Sequence, residues 1–507
     1  MEKRSGAAAA VNTSDKMGNM SIPKLLFGMS LPAMFSMLVQ ALYNIVDSIF
    51  VARISQDALT ALTLAFPMQM VVTAFAIGTG VGVNSLVARK LGEGDKETAS
   101  RVAQLGLMLA LIIAAFFAGI GYVTAKYYIG LFTSDPAIYE MGFRYLAIVM
   151  TFSFGQCIEV ILNKTLQATG NMLTPMISML CGTATNIILD PILIFGYLGA
   201  PAMGIRGAAI ATVIGQIVAL SVTLIVLIFR KQEIRIFFAK GFRPTKEDFI
   251  GIMKVGVPSI ILNAIGSITT TVMNAILIAY SNTAVAVYGA FYKLQSFAFM
   301  PIFGLNQGSM PIMGYNYGAH NRKRFVATFK LALVVAVAIM CLATALFMAI
   351  PNLFLMLFNA DANMTSIGER AFRMLALGFV PAAFSVIYTA MFTSVGYGMR
   401  SMLLMLLRQL ILCVPFIYLL GKLFGLDYLW LGYGTAELIS AIAFTPVAIY
   451  TYRKIFPGAK MRELFGRLKG SLEEAEDARY VPEAEAGADD GSVTVSGYAD
   501  AESEEKD

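Results

Sequence analysis

Long apolar runs are the feature that most restricts this chain. Reading between loop signals gives twelve, at about 25–50, 59–88, 102–123, 142–168, 173–198, 207–229, 250–280, 284–313, 326–350, 371–396, 401–424 and 429–451. Each is long enough to cross a hydrocarbon core about 30 Å thick. Of the 507 residues, 57% are hydrophobic and 14% charged, with a mean hydropathy of +0.70; a soluble domain carries about 25% charged residues. In lipid every backbone N–H and C=O must be satisfied within the segment, which leaves helices as the spanning element. An all-α integral membrane protein of twelve transmembrane helices is expected.

The net charge of +6 averages two unlike parts. Residues 471–507 hold 13 acids against only Arg479 and Lys506, a balance of −11, whereas residues 1–470 carry +17. Basic loops in a polytopic chain mark the cytoplasmic side, and no nucleic-acid partner is expected. With the N-terminal tail inside, inner loops and tails hold roughly 25 basic residues up to position 470 and outer loops roughly seven. The clusters include Arg89, Lys90, Lys96 and Arg101, a linker set from Arg230 to Lys246, and Arg322, Lys323 and Arg324. Both termini are expected in the cytoplasm, with the chain in the cell membrane. Residues 1–22 show no apolar core ahead of a small-residue cleavage site, so no signal peptide is expected. The expected organisation is a tail over 1–23, a six-helix bundle over 24–230, a basic linker over 231–248, a second bundle over 249–455 and a tail over 456–507. From about residue 471 the tail has few apolar residues and is expected to be solvated and disordered.

Sliding the chain against itself exposes an internal repeat. At a shift of 226 residues Pro32 falls on Pro258, Gly78 on Gly304, Gly82 on Gly308, Gly92 on Gly318, Gly142 on Gly368 and Gly170 on Gly396. Six spans per repeat is an even number, so both halves enter the membrane in the same direction. Such a parallel repeat, about an axis along the membrane normal, is an arrangement of secondary transporters with the substrate site between the halves.

Several kinds of chemistry are excluded. One histidine, His320, leaves no basis for His-based metal sites or Ser-His triads. Cys157, Cys181, Cys341 and Cys413 lie inside apolar runs without a CxxC pair and read as reduced packing residues. Neither an enzyme nor a cofactor is expected.

Charges within the membrane are costly and mark cavities and ion paths. The acids there are Asp47, Glu159, Asp190 and Glu437. Ser36, Gln40, Asn44 and Asp47 recur at spacings of four, four and three, a single helical face that lipid would leave unsatisfied. Pro32 weakens the same helix and allows a kink. In "NIILDP" Asn186 and Asp190 share a face, and Pro191 deprives the Ile187 carbonyl of its helical donor. Thr212 offers a further oxygen. This set fits a sodium ion held by oxygens or a proton shared by crowded carboxylates; the alternative is hydrogen-bond links between helices. Glu159 and Lys164 stand roughly 140° apart on the helical wheel and are expected to reach separate partners.

Residues 30–54, 65–95, "LQATGN" (166–171), "NIILDPILIFG" (186–196), "GAAIAT" (207–212) and "YNYGAHNRKR" (315–324) resemble the MATE (multidrug and toxic compound extrusion) family, nearest its MepA-like bacterial exporters. The likeness runs over about 24–455. It implies two six-helix bundles in a V, exporting organic cations in exchange for H+ or Na+. The family's first-span carboxylate falls on Asp47, its helix-bending proline on Pro32, its N-lobe Asn and Asp on Asn186 and Asp190, its span-six hydroxyl on Thr212 and a span-four asparagine on Asn163. Its NorM-like branch carries acids in spans seven and ten, where this chain has Asn263, Asn274, Tyr388 and Thr393. Coupling is therefore expected in the first half.

The expected activity is secondary active multidrug efflux by alternating access, with organic, mostly cationic amphipaths as substrates and a monomer in the bilayer as the working unit. Asp47, Asn186, Asp190 and Thr212 are the expected coupling site, with Gln40, Asn44, Asn163 and Glu159 in the same half of the cavity. The competing readings are a flippase or exporter of a lipid-linked saccharide or other metabolite, and a membrane sensor or scaffold acting through the acidic tail.

Overall fold

The structure, a computed structural model, describes residues 15–238, 242–358 and 361–478, apart from a few helical side chains, Asn44 among them. No strand occurs among the described residues. In the first half α1 (Asp15–Asn19) precedes α2 (Ile22–Ala52), α3 (Gln56–Gly92), α4 (Lys96–Phe132), α5 (Pro136–Thr151), α6 (Phe154–Ala168), α7 (Leu173–Phe195) and α8 (Ile205–Phe229). The second half comprises α9 (Lys246–Ile278), α10 (Asn282–Gly318), α11 (Arg322–Ala349), α12 (Pro351–Met356), α13 (Ala362–Ala376) and α14 (Phe379–Ser394). It continues with α15 (Gly398–Leu406), a π-helical stretch (Leu407–Cys413), α16 (Val414–Phe424), α17 (Leu426–Leu429) and α18 (Leu431–Ile455), before α19 (Met461–Phe465) and α20 (Leu468–Asp477).

Eight spans have the length and apolar composition to cross a membrane, and the bent pairs α5–α6 and α13–α14 bring the number to ten. With α9 and α10, of 33 and 37 residues, there are twelve membrane-length units among the described residues. The sequence reading treats 142–168 and 371–396 as single runs starting later. In the structure each begins in a polar stretch, at Pro136 and Ala362, and bends by 47° and 43°. Large apolar side chains such as Leu131, Phe229, Ile228 and Ile442 are exposed on the outer surface, where lipid is their solvent.

The repeat is written into the helix starts. Ser55 caps the Ala58 amide and Ser281 the Ala284 amide, both at 3.0 Å. Asp95 caps Thr98 at 2.9 Å and Asn321 caps Arg324 at 3.2 Å. Asp135 and Asp361 open α5 and α13 in the same way. Every pair is 226 residues apart, and each cap satisfies an amide that would otherwise lack a partner. Gly170 and Gly396, another such pair, both adopt positive φ, +82° and +88°, which glycine tolerates without a Cβ clash.

The halves meet through glycines. A Cβ on Gly92 would stand 1.9 Å from the Tyr315 carbonyl oxygen, and one on Gly318 would stand 2.0 Å from that of Arg89. Gly78 and Gly82 press on Ile260 and Ile252 of α9; their repeats Gly304 and Gly308 press on Met34 and Ser30 of α2. All these contacts lie towards the membrane face where α2 and α9 begin and α3 and α10 end. Without a hydrophobic drive between helices in lipid, such close backbone approach supplies the dispersion contact that joins them. Arg101 of α4 adds an ion pair to Asp248 of α9 at 2.6 Å on the same face.

One expectation is corrected. The tail is not disordered from 471: α20 extends to Asp477, with Ala475 buried and Leu468 and Leu472 packed on the core. Lys330 Nζ donates to Ser471 Oγ at 2.6 Å. Leu468, Leu472 and Ala475 form one helical stripe within an otherwise acidic segment. The rest of the acidic tail lies outside the described residues.

Candidate functional site

Between the halves lies a cavity of 740 Å³, walled by α2, α3, α6, α7 and α8 on one side and α9, α10, α14 and the π-helical stretch on the other. Its charged lining residues are Glu159, Lys164 and Arg408.

The first-half corner is built by α2, α7 and α8. Gly182 and Gly215 pack face to face, so that a Cβ on either would stand 2.7 or 2.8 Å from the other's carbonyl oxygen. That approach sets Asn186 beside Thr212: Asn186 Nδ2 donates to Thr212 Oγ1 at 3.3 Å, and Thr212 donates to the Ala208 carbonyl at 3.0 Å. Asp190 is one turn further along α7 and fully buried. Asp47 of α2 brings its carboxyl within hydrogen-bonding reach of Asp190. The Tyr43 and Tyr145 hydroxyls face Thr212. Asn186 and Thr212 line the cavity with Tyr43.

The polarity of this corner is one-sided. Asp47 Oδ1, Asn186 Oδ1 and both Asp190 oxygens are buried without a hydrogen-bond donor among the described residues. A buried acceptor without a donor costs about 1–3 kcal/mol, more when charged, and adjacent carboxylates repel unless a proton or a cation lies between them. The arrangement is chemically suited to take up positive charge. No group of three His, Cys, Asp or Glu that could hold a metal ion occurs among the described residues, so a sodium ion here would draw on the amide and hydroxyl oxygens as well.

Deeper in the same half, Glu159 accepts hydrogen bonds from Asn163 and, at 2.8 Å, from Ser178; Asn163 Oδ1 accepts from Thr223 at 3.1 Å. Lys164 turns elsewhere, donating to Gln167 at 3.1 Å and, across the halves, to Gln307 at 2.7 Å. Gln40 lines the cavity, and the Asn44 side chain lies outside the described residues. Pro32 stands inside α2, where Ser36 Oγ donates to its carbonyl at 2.8 Å.

In the second half Asn263 and Thr393 reach the cavity. Tyr388 instead pairs with Thr445 at 2.9 Å, and Asn274 is exposed. The notable group there is a buried ion pair, Arg408 Nε to Glu437 Oε1 at 3.1 Å. Sequence reading did not place this pair, nor Tyr43, Tyr145 and Gln307, in the site. Two opposite charges inside neighbouring apolar spans were the available signal for the pair. Tyr43 had one as well, standing one turn before Asp47.

The MatE family matches residues 32–192 and again 258–419, two segments whose starts differ by the 226-residue repeat. Among relatives, the multidrug export protein MepA of Staphylococcus haemolyticus is 27% identical over 407 residues, 80% of this chain and 88% of that protein. An FAD transporter of Shewanella oneidensis is 26% identical over 448 residues, 85% and 95% of the two chains. Among solved structures, a multidrug resistance MATE family transporter of the MOP superfamily in an outward-facing conformation superposes with a TM-score of 0.82 at 26% identity, over 87% of this chain and 98% of the other. With its matched segments covering most of both halves, the chain belongs to the MatE family of membrane transporters.

Proposed function

We propose that this transporter is a cation-coupled multidrug antiporter of the cell membrane, exporting organic, mostly cationic amphipaths against an inward flow of H+ or Na+. The observation that carries the reading is the cluster of four buried oxygens without donors at Asp47, Asn186 and Asp190, beside a cavity large enough for a drug-sized compound. With the basic loops and both termini in the cytoplasm, the face sealed by glycines is the inner one and the cavity faces outward. A cation entering the Asp47–Asp190 corner removes the repulsion between the carboxyls and satisfies their free lone pairs. The α2 face that carries Gln40 and Tyr43 then changes its fit to the compound in the cavity. Drug and ion exchange because each favours a different state of the two halves.

Ethidium efflux from proteoliposomes, driven separately by a pH gradient and a sodium gradient, tests this. Asp47→Asn and Asp190→Asn are expected to abolish efflux under the coupling gradient; full activity in both overturns the reading. Lys164 and Arg408 on the cavity wall favour a second reading, export of a nucleotide-like metabolite, in keeping with the FAD transporter among the relatives. Efflux of FAD in place of ethidium from the same vesicles separates the two.

A further inference from the structure

The repeat equates α7 with the α15–α16 unit and α8 with α18, whose limits are offset by 226 residues at both ends. At the position of Gly182, where the first half closes α7 onto α8, the second half carries Arg408; at the position of Ala211 it carries Glu437. A side chain of this size does not fit a glycine contact. In the second half the helix widens into the π-helical stretch Leu407–Cys413 at that place, a distortion frequent at functional sites. The two side chains are 6% and 2% exposed. Burying such a pair costs desolvation that its attraction does not reliably recover, so packing alone gives little reason for it.

Two further observations point to a ligand. Arg408 and its neighbour Gln409 line the cavity, whereas Glu437 is not among the lining residues. The contact of the pair is Arg408 Nε to Glu437 Oε1 at 3.1 Å, yet that Nε is buried without a hydrogen-bond partner among the described residues, and a guanidinium also carries two NH2 groups in a planar fork matched to oxyanions. Glu437 Oε2 is likewise buried without a hydrogen-bond partner among the described residues, so the ion pair leaves hydrogen-bonding capacity unused on both sides. On the opposite wall Lys164 adds a second cation, while Glu159 is already engaged by Asn163 and Ser178.

We propose that Arg408 is the receiving group of a second substrate subsite, one that takes an oxyanion, carboxylate or phosphate, carried by the compound in the cavity. Glu437 is its resident counter-ion, which the substrate oxyanion displaces or joins. A compound with a cationic ring system and an anionic arm would then span the cavity, with its cation towards the first half and its anion on Arg408. This rests on the drug-cavity reading above and deepens it by assigning the anionic end of the compound to a particular group in the second half.

The test uses two fluorescent probes that share one xanthene cation: rhodamine 110, with a free carboxylate, and rhodamine 123, its methyl ester. Binding of each to the purified full chain in detergent is followed by anisotropy, and the readout is the ratio of the two Kd values. Arg408→Gln alone strands the Glu437 charge, so the charge-neutral double variant Arg408→Gln with Glu437→Gln is used. Its ratio is expected to shift against the carboxylate probe by about tenfold or more, the scale of a lost charged hydrogen bond. Glu437→Gln alone frees the guanidinium and is expected to shift the ratio in favour of the carboxylate probe. A ratio unchanged in either variant overturns the proposal while leaving the drug cavity standing; the single variant decides if the double one does not fold. Binding of neither probe by the wild type overturns the cavity reading, and the proposal with it.

Discussion

Asn186 donates to the Thr212 hydroxyl, and that hydroxyl is itself committed to the Ala208 carbonyl. The donors of this pair therefore point away from Asp190, and Asn186 Oδ1 stays with the two Asp190 oxygens as acceptors without donors. A species that binds this corner in the folded state must stabilise the fold by mass action, by about 2.7 kcal/mol at a hundredfold excess over its Kd. Thermal unfolding is expected to rise with the coupling ion, followed once by replacing choline with sodium and once by lowering the pH. Asp190→Asn, which keeps the shape and adds a donor, is expected to flatten whichever series responds. A wild type flat in both series would rule out ion uptake at this corner.

Gly92 and Gly318 seal the same face from opposite halves, each against a backbone carbonyl that cannot yield as a side chain tip can. Alanine at either position overpacks the contact, at a cost of about 1–3 kcal/mol. That cost falls only on states in which the face is closed. Gly92→Ala and Gly318→Ala are thus expected to shift the population towards opening on that side, by about fivefold or more. In a cysteine-free background, a single cysteine at Gln307 should label faster with an impermeant maleimide applied from that face. Unchanged labelling in both variants would remove the glycines from the gating surface.

Much of this architecture was legible because glycine and proline mark backbone geometry irrespective of what surrounds them. Gly92 and Gly318 aligned in sequence, and the structure gives the reason: each admits the other half's backbone. The caps were harder to read, since Asp95 and Asn321 do the same work with different side chains. The bend between α5 and α6 carries no proline or glycine at Phe152 or Ser153, so composition had nothing to announce it. Within the corner, Asp47, Asn186, Asp190 and Thr212 stood out as polar groups in apolar runs. Tyr43 did not, because a phenol counts as apolar until its hydroxyl is seen facing Thr212. Arg408 and Glu437 are on separate helices, and only the fold brings them to 3.1 Å.

Asp248 lies in the first turn of α9, ahead of the membrane span, and ties that turn to α4 of the other half. Burial pushes its carboxyl up, but the Arg101 guanidinium at 2.6 Å, the Thr245 hydroxyl and the Thr245 amide together hold it below the ordinary value of 3.8. A carboxyl depressed in the folded state contributes stability that is fully present above its unfolded pKa. That contribution is lost as pH falls through the folded one. Closure through this bridge is thus expected to hold across neutral pH and to fail only on acidification below the ordinary carboxylate range. Asp248→Asn should cost about 1 kcal/mol in thermal unfolding near neutrality and should erase that part of the acid dependence. An acid limb identical in wild type and variant would show that the bridge contributes nothing.

Arg324, fully buried at the start of α11, joins the segment around α1 to α20. Its guanidinium donates to the Met17 and Met20 carbonyls at 3.0 and 2.7 Å and to the Ala475 carbonyl of α20 at 3.4 Å. Asn321 beside it donates to the Ala478 carbonyl at 2.6 Å. Hydrogen bonds from a charged donor are worth about 1.5–3 kcal/mol, and α20, at ten residues, is too short to be stable in water by itself. Arg324→Ala is therefore expected to release α20 while the twelve spans persist. Trypsin should then cut after Arg467 or Lys469 about tenfold faster than in wild type, through a raised population of the undocked tail. Equal cleavage rates in the two proteins would mean that Leu468, Leu472 and Ala475 hold the helix without the arginine.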